Sequence, residues 1–211
     1  MSFKAWLKNK TADRILLPLR QELLELIEYN STLLEVGCGT GDLLFQAAGK
    51  ISSGHGVDLN QGMIKYAESK RIRQNLSNLS FECIDALVMA PLDYNISTST
   101  LCLHEMSETQ ACALLKYMVD NSEMAIIADF TEAKSTFGRL SIELDELLSG
   151  HYRNYRRYRR NGEIPSYAAK IGSRVHKEIT SVVEGISIWI VSNNAMPEQP
   201  VSLRDAASQR P

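Results

Sequence analysis

The stretch Leu33-Leu34-Glu35-Val36-Gly37-Cys38-Gly39-Thr40-Gly41-Asp42 constrains the fold of this chain more than any other. A short apolar run that stops in a glycine cluster reads as a buried parallel strand feeding a tight loop. Glycine tolerates positive φ and lets a ligand approach the backbone closely. Leu43, Leu44, Ala47 and Ala48 then continue at helical spacing. Strand, glycine loop and helix in that order are the opening of a βαβ unit, which commits its strands to a parallel sheet.

The rhythm repeats. Gly54-His55-Gly56-Val57-Asp58 is a second brief strand, residues 63–73 are helical by spacing, and residues 81–84 are a third strand that stops at Asp85. A fourth strand is expected over residues 95–103, although serines and threonines interrupt it. Residues 108–119 read as a helix, and residues 124–130 as a fifth strand that again ends at an acid, Asp129. A helical segment over residues 137–158 follows. Residues 175–183 and 186–191 suit two closing strands around a Glu184-Gly185 turn. The first thirty residues are helical in pattern, with a break near Pro18, and residues 193–211 read as a disordered polar tail. The whole predicts one α/β domain over residues 1–192, a parallel sheet with helices on both faces.

Composition narrows the function classes. A chain of 211 residues with 44% hydrophobic and 23% charged residues builds a full core, which excludes general disorder. A net charge of −2 gives no electrostatic reason to expect nucleic acid or an anionic membrane as partner, and no apolar run reaches the roughly 20 residues of a membrane span. The first ten residues lack the apolar centre of a signal peptide. The four cysteines, Cys38, Cys83, Cys102 and Cys112, form no C-x-x-C pair and no zinc-ligand spacing with a histidine. No metal site is expected, and reduced thiols in a cytoplasmic compartment are.

Ligands in sheets of this kind bind past the carboxyl ends of the strands. There the glycine loop is joined by Asp58 and Asp85, carboxylates at the ends of the next two strands. Asp58 can accept both hydroxyls of a ribose, and Asp85 can accept from an adenine amino group. The loop spacing is G-x-G-x-G, one residue shorter than the nicotinamide fingerprint, and Asp42 just behind it repels a phosphate. A nicotinamide dehydrogenase is therefore the runner-up among enzymes, and it also lacks a Tyr-x-x-x-Lys pair.

With these residues in hand, Leu33 to Gly41 resembles the first motif of class I S-adenosylmethionine-dependent methyltransferases. Gly56-Val-Asp-Leu-Asn-Gln-Gly-Met63 resembles their second motif and Phe81-Glu-Cys-Ile-Asp-Ala86 their third. The likeness extends through Leu101-Cys-Leu-His-Glu-Met106, Ala125 to Phe130 and His151 to Tyr155, and is nearest to small enzymes of the ubiquinone/menaquinone (type 11) kind. It implies a Rossmann-like, doubly wound seven-stranded sheet, mostly parallel with an antiparallel last strand. It implies S-adenosylmethionine as cofactor and S-adenosylhomocysteine as product. In this likeness Glu35 orders the loop of Gly37, Cys38, Gly39 and Gly41, and Asp58 binds the ribose. Leu59 and Met63 pack on the adenine, Asp85 and Ala86 read its edge, Ser99 borders the sulfonium, and Arg20 pairs with the cofactor carboxylate.

Methyl transfer from a sulfonium is an in-line displacement, so alignment is the main requirement and a base is optional. His104, after the fourth strand, is the candidate base or substrate contact, with Glu105 beside it as the alternative. The run His151 to Arg160 carries five arginines and three tyrosines. It reads as a lid within residues 137–170 with His151, Tyr152 and Tyr155 over the substrate, as a basic-aromatic patch, or as a solvated helix packing its tyrosines on the core. The motifs of nucleic-acid base methylation are missing, so a small-molecule acceptor is expected. The non-enzyme alternative is a methyltransferase-fold binding module. Acceptor atom and oligomeric state are not legible.

Overall fold

The computed structural model describes residues 16–133, 135, 150 and 152–193. The first fifteen residues, His151 and the tail from residue 194, together with most of residues 134–149, lie outside the described residues. The expectations of an early helical segment, of a disordered tail and of a helix from residue 137 fall largely there.

Residues 16–26 are helical, Pro18 among them, and are labelled α1. Strand β1 (Thr32–Val36) follows, then α2 (Asp42–Ala47), β2 (Ser53–Asp58), α3 (Gln61–Arg73), β3 (Leu79–Cys83) and β4 (Tyr94–Thr100). Helix α4 (Glu108–Asp120) and β5 (Ser122–Phe130) come next. Two short helices, α5 (Tyr152–Arg160) and α6 (Glu163–Lys170), precede β6 (Arg174–Thr180) and β7 (Ile186–Ser192). Single 3-10 turns sit at Ala86–Val88 and Leu103–Glu105.

The sheet has seven strands in the order β3-β2-β1-β4-β5-β7-β6. All pairs among β1 to β5 are parallel, whereas β7 inserts antiparallel between β5 and β6. The doubly wound, mostly parallel architecture is the one expected, with the order reversing between β1 and β4. That reversal opens a crevice at the strand ends.

Alternation along the buried strands feeds two cores. Leu33 joins Leu19, Leu23 and Ile27 of α1 and its exit, Leu44 of α2 and Ile64 of α3 on one face. Leu34 joins Leu114, Leu115 and Met118 of α4 and Tyr167 of α6 on the other. The polar fourth strand is central and buried after all. Ser97 and Thr98 are fully buried because their hydroxyls find carbonyls: Ser97 Oγ donates to Met118 O at 3.4 Å and Thr98 Oγ1 to Leu34 O at 3.3 Å. Residues expected as one helix through Tyr158 continue to Arg160, break at Asn161-Gly162 and restart as α6, because Gly162 takes φ +90°. The strand expected at residues 175–183 ends earlier, at Thr180.

Candidate active site

The crevice is a cleft of about 500 Å3 over the carboxyl ends of β1, β2 and β4. Its floor is the glycine loop. Gly37, Gly39 and Gly41 all hold positive φ, between 55° and 75°. Gly41 has no alternative, since a Cβ there would lie 2.3 Å from the Phe81 ring. Gly37 and Cys38 donate to Val57 O at 2.9 and 3.1 Å, which ties the loop to β2.

Asp58 joins two loops. Its Oδ2 accepts Gly39 N–H at 2.8 Å and its Oδ1 accepts Asn60 N–H at 2.7 Å. Each oxygen keeps a second lone pair toward the cleft. Asp85 Oδ1 accepts Leu87 N–H at 3.0 Å and so starts the 3-10 turn that presents Ala86 to the cleft. Leu59, Met63, Ile84 and Leu87 give this end an apolar lining; Leu59 is 73% exposed, an apolar side chain held in water at the rim.

A smaller cavity of about 160 Å3 adjoins it, lined by Arg20, Glu35, Cys38, Thr40 and Asp42. Gly37, Gly39, Met63 and Thr100 line both spaces, so they form two ends of one trough. Arg20 Nη2 lies 3.9 Å from Asp42 Oδ2, and Lys70 Nζ lies 2.8 Å from Asp42 Oδ1. Burial works against ionising Asp42, but hydrogen bonds and charge from Lys70, Thr40 and Arg20 outweigh it and hold the carboxyl below its ordinary range. Glu35 is the opposite case. Burial, with Asp42 and Asp58 adding to it, pushes its carboxyl up to about 8 against the pull of Arg20. Burial also drives the Cys38 thiol far up and the Cys102 thiol to about 12, which leaves both protonated and inert as nucleophiles.

The far end of the cleft departs from expectation. His104 is 2% exposed and does not line it. Its Nδ1 sits 2.6 Å from Asp129 Oδ1, while Asp129 Oδ2 accepts the N–H groups of Leu103 and His104 at 3.1 and 3.2 Å. Phe130, Tyr155 and Tyr158 enclose the imidazole, with ring centroids 4.6 to 6.4 Å away. Together these contacts tie the Leu103–Glu105 turn to Asp129. The buried Asp129 draws the ring into the core, away from the cleft lining. Glu105 is the side chain that this turn delivers to the cleft, beside Met106, Gln110 and Leu114.

Tyr155 is 5% exposed and packs edge-on against Phe130, while Tyr152 lies under Arg156. Neither lines the cleft, and the buried tyrosines of α5, Tyr155 and Tyr158, face the core; His151 lies outside the described residues. Asn154 Nδ2 donates to Glu105 O at 2.7 Å, which fastens α5 to the turn. Ser99 is also turned inward, 1% exposed; Thr100, Leu101 and Cys102 border the cleft in its place. These three were legible only as an interval between strand and turn. Leu101 holds φ +50°, an unfavourable state for leucine, and redirects the chain there. Among the described residues no group of three His, Cys, Asp or Glu side chains is placed to hold a metal. No helix among them is long and apolar enough to cross a membrane.

Residues 27–164 match the model of a family described as a methyltransferase domain. The chain belongs to this methyltransferase family. Aklanonic acid methyltransferase DauC of Streptomyces sp. (strain C5) is 35% identical to this methyltransferase-family chain over 74 residues, which cover 33% of the chain and 34% of that relative. The fold is shared with mitomycin 7-O-methyltransferase MmcR (TM-score 0.71, 12% identity, 90% of this chain and 57% of that one). It is shared too with the neocarzinostatin O-methyltransferase NcsB1 bound to S-adenosylmethionine and 2-hydroxy-5-methyl naphthoic acid (0.66, 16%, 90% and 57%). A SAM-dependent methyltransferase from Aquifex aeolicus matches at 0.59 and 16%, over 85% of this chain and 92% of its own length. The chain thus spans little more than half the length of the first two solved structures and aligns with a third of DauC.

Proposed function

We propose that the chain is an S-adenosylmethionine-dependent methyltransferase that acts on a small-molecule acceptor. The observation that carries this reading is Asp58, whose two oxygens each fix a cleft-lining loop and still offer a lone pair to a ribose hydroxyl. The residues present fit the cofactor in three further ways. Positive φ at Gly37 and Gly39 brings bare backbone to the trough. Leu59 and Met63 form an apolar slot beside Asp85 and Ala86 for a purine, and Arg20 faces the smaller cavity, where a carboxylate would end.

When bound, the cofactor supplies a methyl carbon activated by a sulfonium leaving group. The chain's own residues then have three tasks. The glycine loop and Asp58 fix position, which for an in-line displacement is the largest contribution. Thr100, Leu101 and Cys102 border the middle of the trough between its two ends. Glu105, Met106, Gln110 and Leu114 bound the acceptor end, where the apolar pair excludes water and Glu105 accepts a hydrogen bond or proton from an acceptor hydroxyl. NcsB1 binds a hydroxylated naphthoic acid and is an O-methyltransferase, and MmcR is a 7-O-methyltransferase; both support a hydroxylated aromatic acceptor and transfer to oxygen.

Calorimetric titration with S-adenosylhomocysteine, with NAD as control, tests the cofactor. Micromolar binding of the first and none of the second is expected; the reverse sinks the reading. Transfer of labelled methyl to a panel of hydroxylated aromatic acids then tests the acceptor class, and label on none of them overturns it.

A further inference from the structure

The arginine run of α5 has no part in the cleft. Tyr152–Arg160 carries five arginines and no acid, in a chain whose net charge is −2. Arg159 is paired with Glu163. Arg153, Arg157 and Arg160 are exposed, and among the described residues no carboxylate pairs with any of them. The acid nearest in charge to Arg157 is Glu108 of α4, and Lys170 and Asn161 hold its carboxylate. Arg153, Arg156, Arg157 and Arg160 stand at i, i+3, i+4 and i+7, so they share one face of the helix. With Tyr152 and Asn161 they line a depression of about 370 Å3 that holds no acidic side chain among the described residues. A neighbouring depression of about 300 Å3 shares Arg156 and Arg160 but includes Glu132, which makes it the poorer of the two for an anion. Like charges at this spacing repel one another, and Arg153, in the first turn, also opposes the helix dipole. A bound anion relieves both.

We propose that the four-arginine face of α5 is a binding site for a small phosphate compound, separate from the cofactor trough. None of the residues that line this depression borders the cleft or the smaller cavity, so the site stands apart from the cofactor reading above. The fork of a guanidinium pairs with two phosphate oxygens at once. A phosphate ester carries about two negative charges at neutral pH and three acceptor oxygens. That suits several guanidiniums around one space, where a single carboxylate would leave most of them unneutralised.

The surroundings favour a small ligand over a macromolecule. Single-stranded nucleic acid needs open ring faces on which its bases stack, but Tyr155 and Tyr158 are buried and Tyr152 lies under Arg156. A membrane surface needs an apolar helix face turned to lipid, and the apolar residues of α5 face the core. A protein interface needs an apolar centre, and among the described residues no exposed large apolar side chain belongs to α5 or α6. The helix is also well placed. Asn154 donates to Glu105 O, and Asn161, just past the helix, donates to Glu108. Both ends of α5 are thus fastened to residues 105–108, the segment that leads from the acceptor end of the cleft into α4.

The test is calorimetric titration of the full chain with inorganic pyrophosphate, at a salt concentration of about 50 mM, with and without saturating S-adenosylhomocysteine. One site with a dissociation constant below about 1 mM is expected, and it should be the same in both titrations. The double variant Arg153→Gln/Arg157→Gln should weaken pyrophosphate at least about tenfold, because each change removes a charge-assisted contact. Arg71→Gln, on α3, should leave it unchanged. Arg153→Gln alone should show a smaller loss in the same direction, and it decides if the double variant does not fold. No binding by the unaltered chain overturns the proposal and leaves the cofactor reading intact. Equal affinity in the unaltered chain and the double variant overturns it as well. Loss of pyrophosphate binding on adding S-adenosylhomocysteine also overturns it, by placing the anion at Arg20 in the trough. A short thymidine oligonucleotide that binds about a hundredfold more tightly than pyrophosphate, and is lost in the double variant, overturns it in favour of a nucleic-acid surface.

Discussion

Asp58 is the residue on which the cleft turns, and its chemistry fixes what its loss should do. Its carboxylate takes one backbone N–H from each of two loops and faces the space between them. Charge-assisted hydrogen bonds are worth about 1.5–3 kcal/mol each, so Asp58→Ala should weaken S-adenosylhomocysteine at least about tenfold. Circular dichroism should show the fold retained, and unchanged affinity would defeat the ribose assignment. Gly41 makes the complementary case for stability. Its φ of 75°, and a Phe81 ring that would lie 2.3 Å from a methyl at this position, leave no room for a side chain. Gly41→Ala should cost more than about 2 kcal/mol in urea unfolding, the strain of a left-handed residue added to overpacking. A Cβ on Gly39 would meet only Met63 Sδ at 3.6 Å, so Gly39→Ala should unfold less readily than Gly41→Ala while still obstructing the cleft.

At the scale of elements, the turn Leu103–Glu105 shows where reading a sequence stops. Strand ends, the glycine loop and Asp58 were legible because period and spacing encode them locally. That Ser97 and Thr98 could still make a central strand was not, because their hydroxyl partners belong to β1, α4 and the start of β5, far along the chain. His104 misleads for the same reason. Its position after β4 suggests the cleft, but Asp129, 25 residues on, claims its Nδ1 and folds the ring inward among Phe130, Tyr155 and Tyr158. The break that makes α5 and α6 two helices rests on Gly162 and on Asn161 bonding Glu108 of α4, another distant partner. Removing one member of a buried pair leaves the other uncompensated, at about 3 kcal/mol or more. His104→Ala should therefore lose stability of that order in chemical unfolding and lower turnover, with S-adenosylhomocysteine affinity preserved. A turnover loss accompanied by an unshifted unfolding midpoint would return His104 to direct chemistry.

For the whole molecule, the buried carboxyl of Glu35 links stability to pH in a direction opposite to most acids. Its ordinary value is 4.5 and burial raises it to about 8 in the folded chain. Between those values the unfolded chain holds fewer protons than the folded one, so the contribution of this group to stability falls as pH rises from about 4.5 to about 8 and is flat beyond. Two other groups act elsewhere or with opposite sign. Asp42, depressed below its ordinary 3.8, adds stability that is lost only in acid. His55, depressed by burial below 6.5, makes the folded state gain as pH rises toward that value. The difference between the native chain and Glu35→Gln cancels both. The variant should gain in melting temperature over the native chain as pH climbs from 5 to 8, by an amount matching several kcal/mol at the upper end, and the gap should close near pH 4. A gap that stays the same from pH 5 to pH 8 would show that burial does not hold the carboxyl neutral in the folded chain.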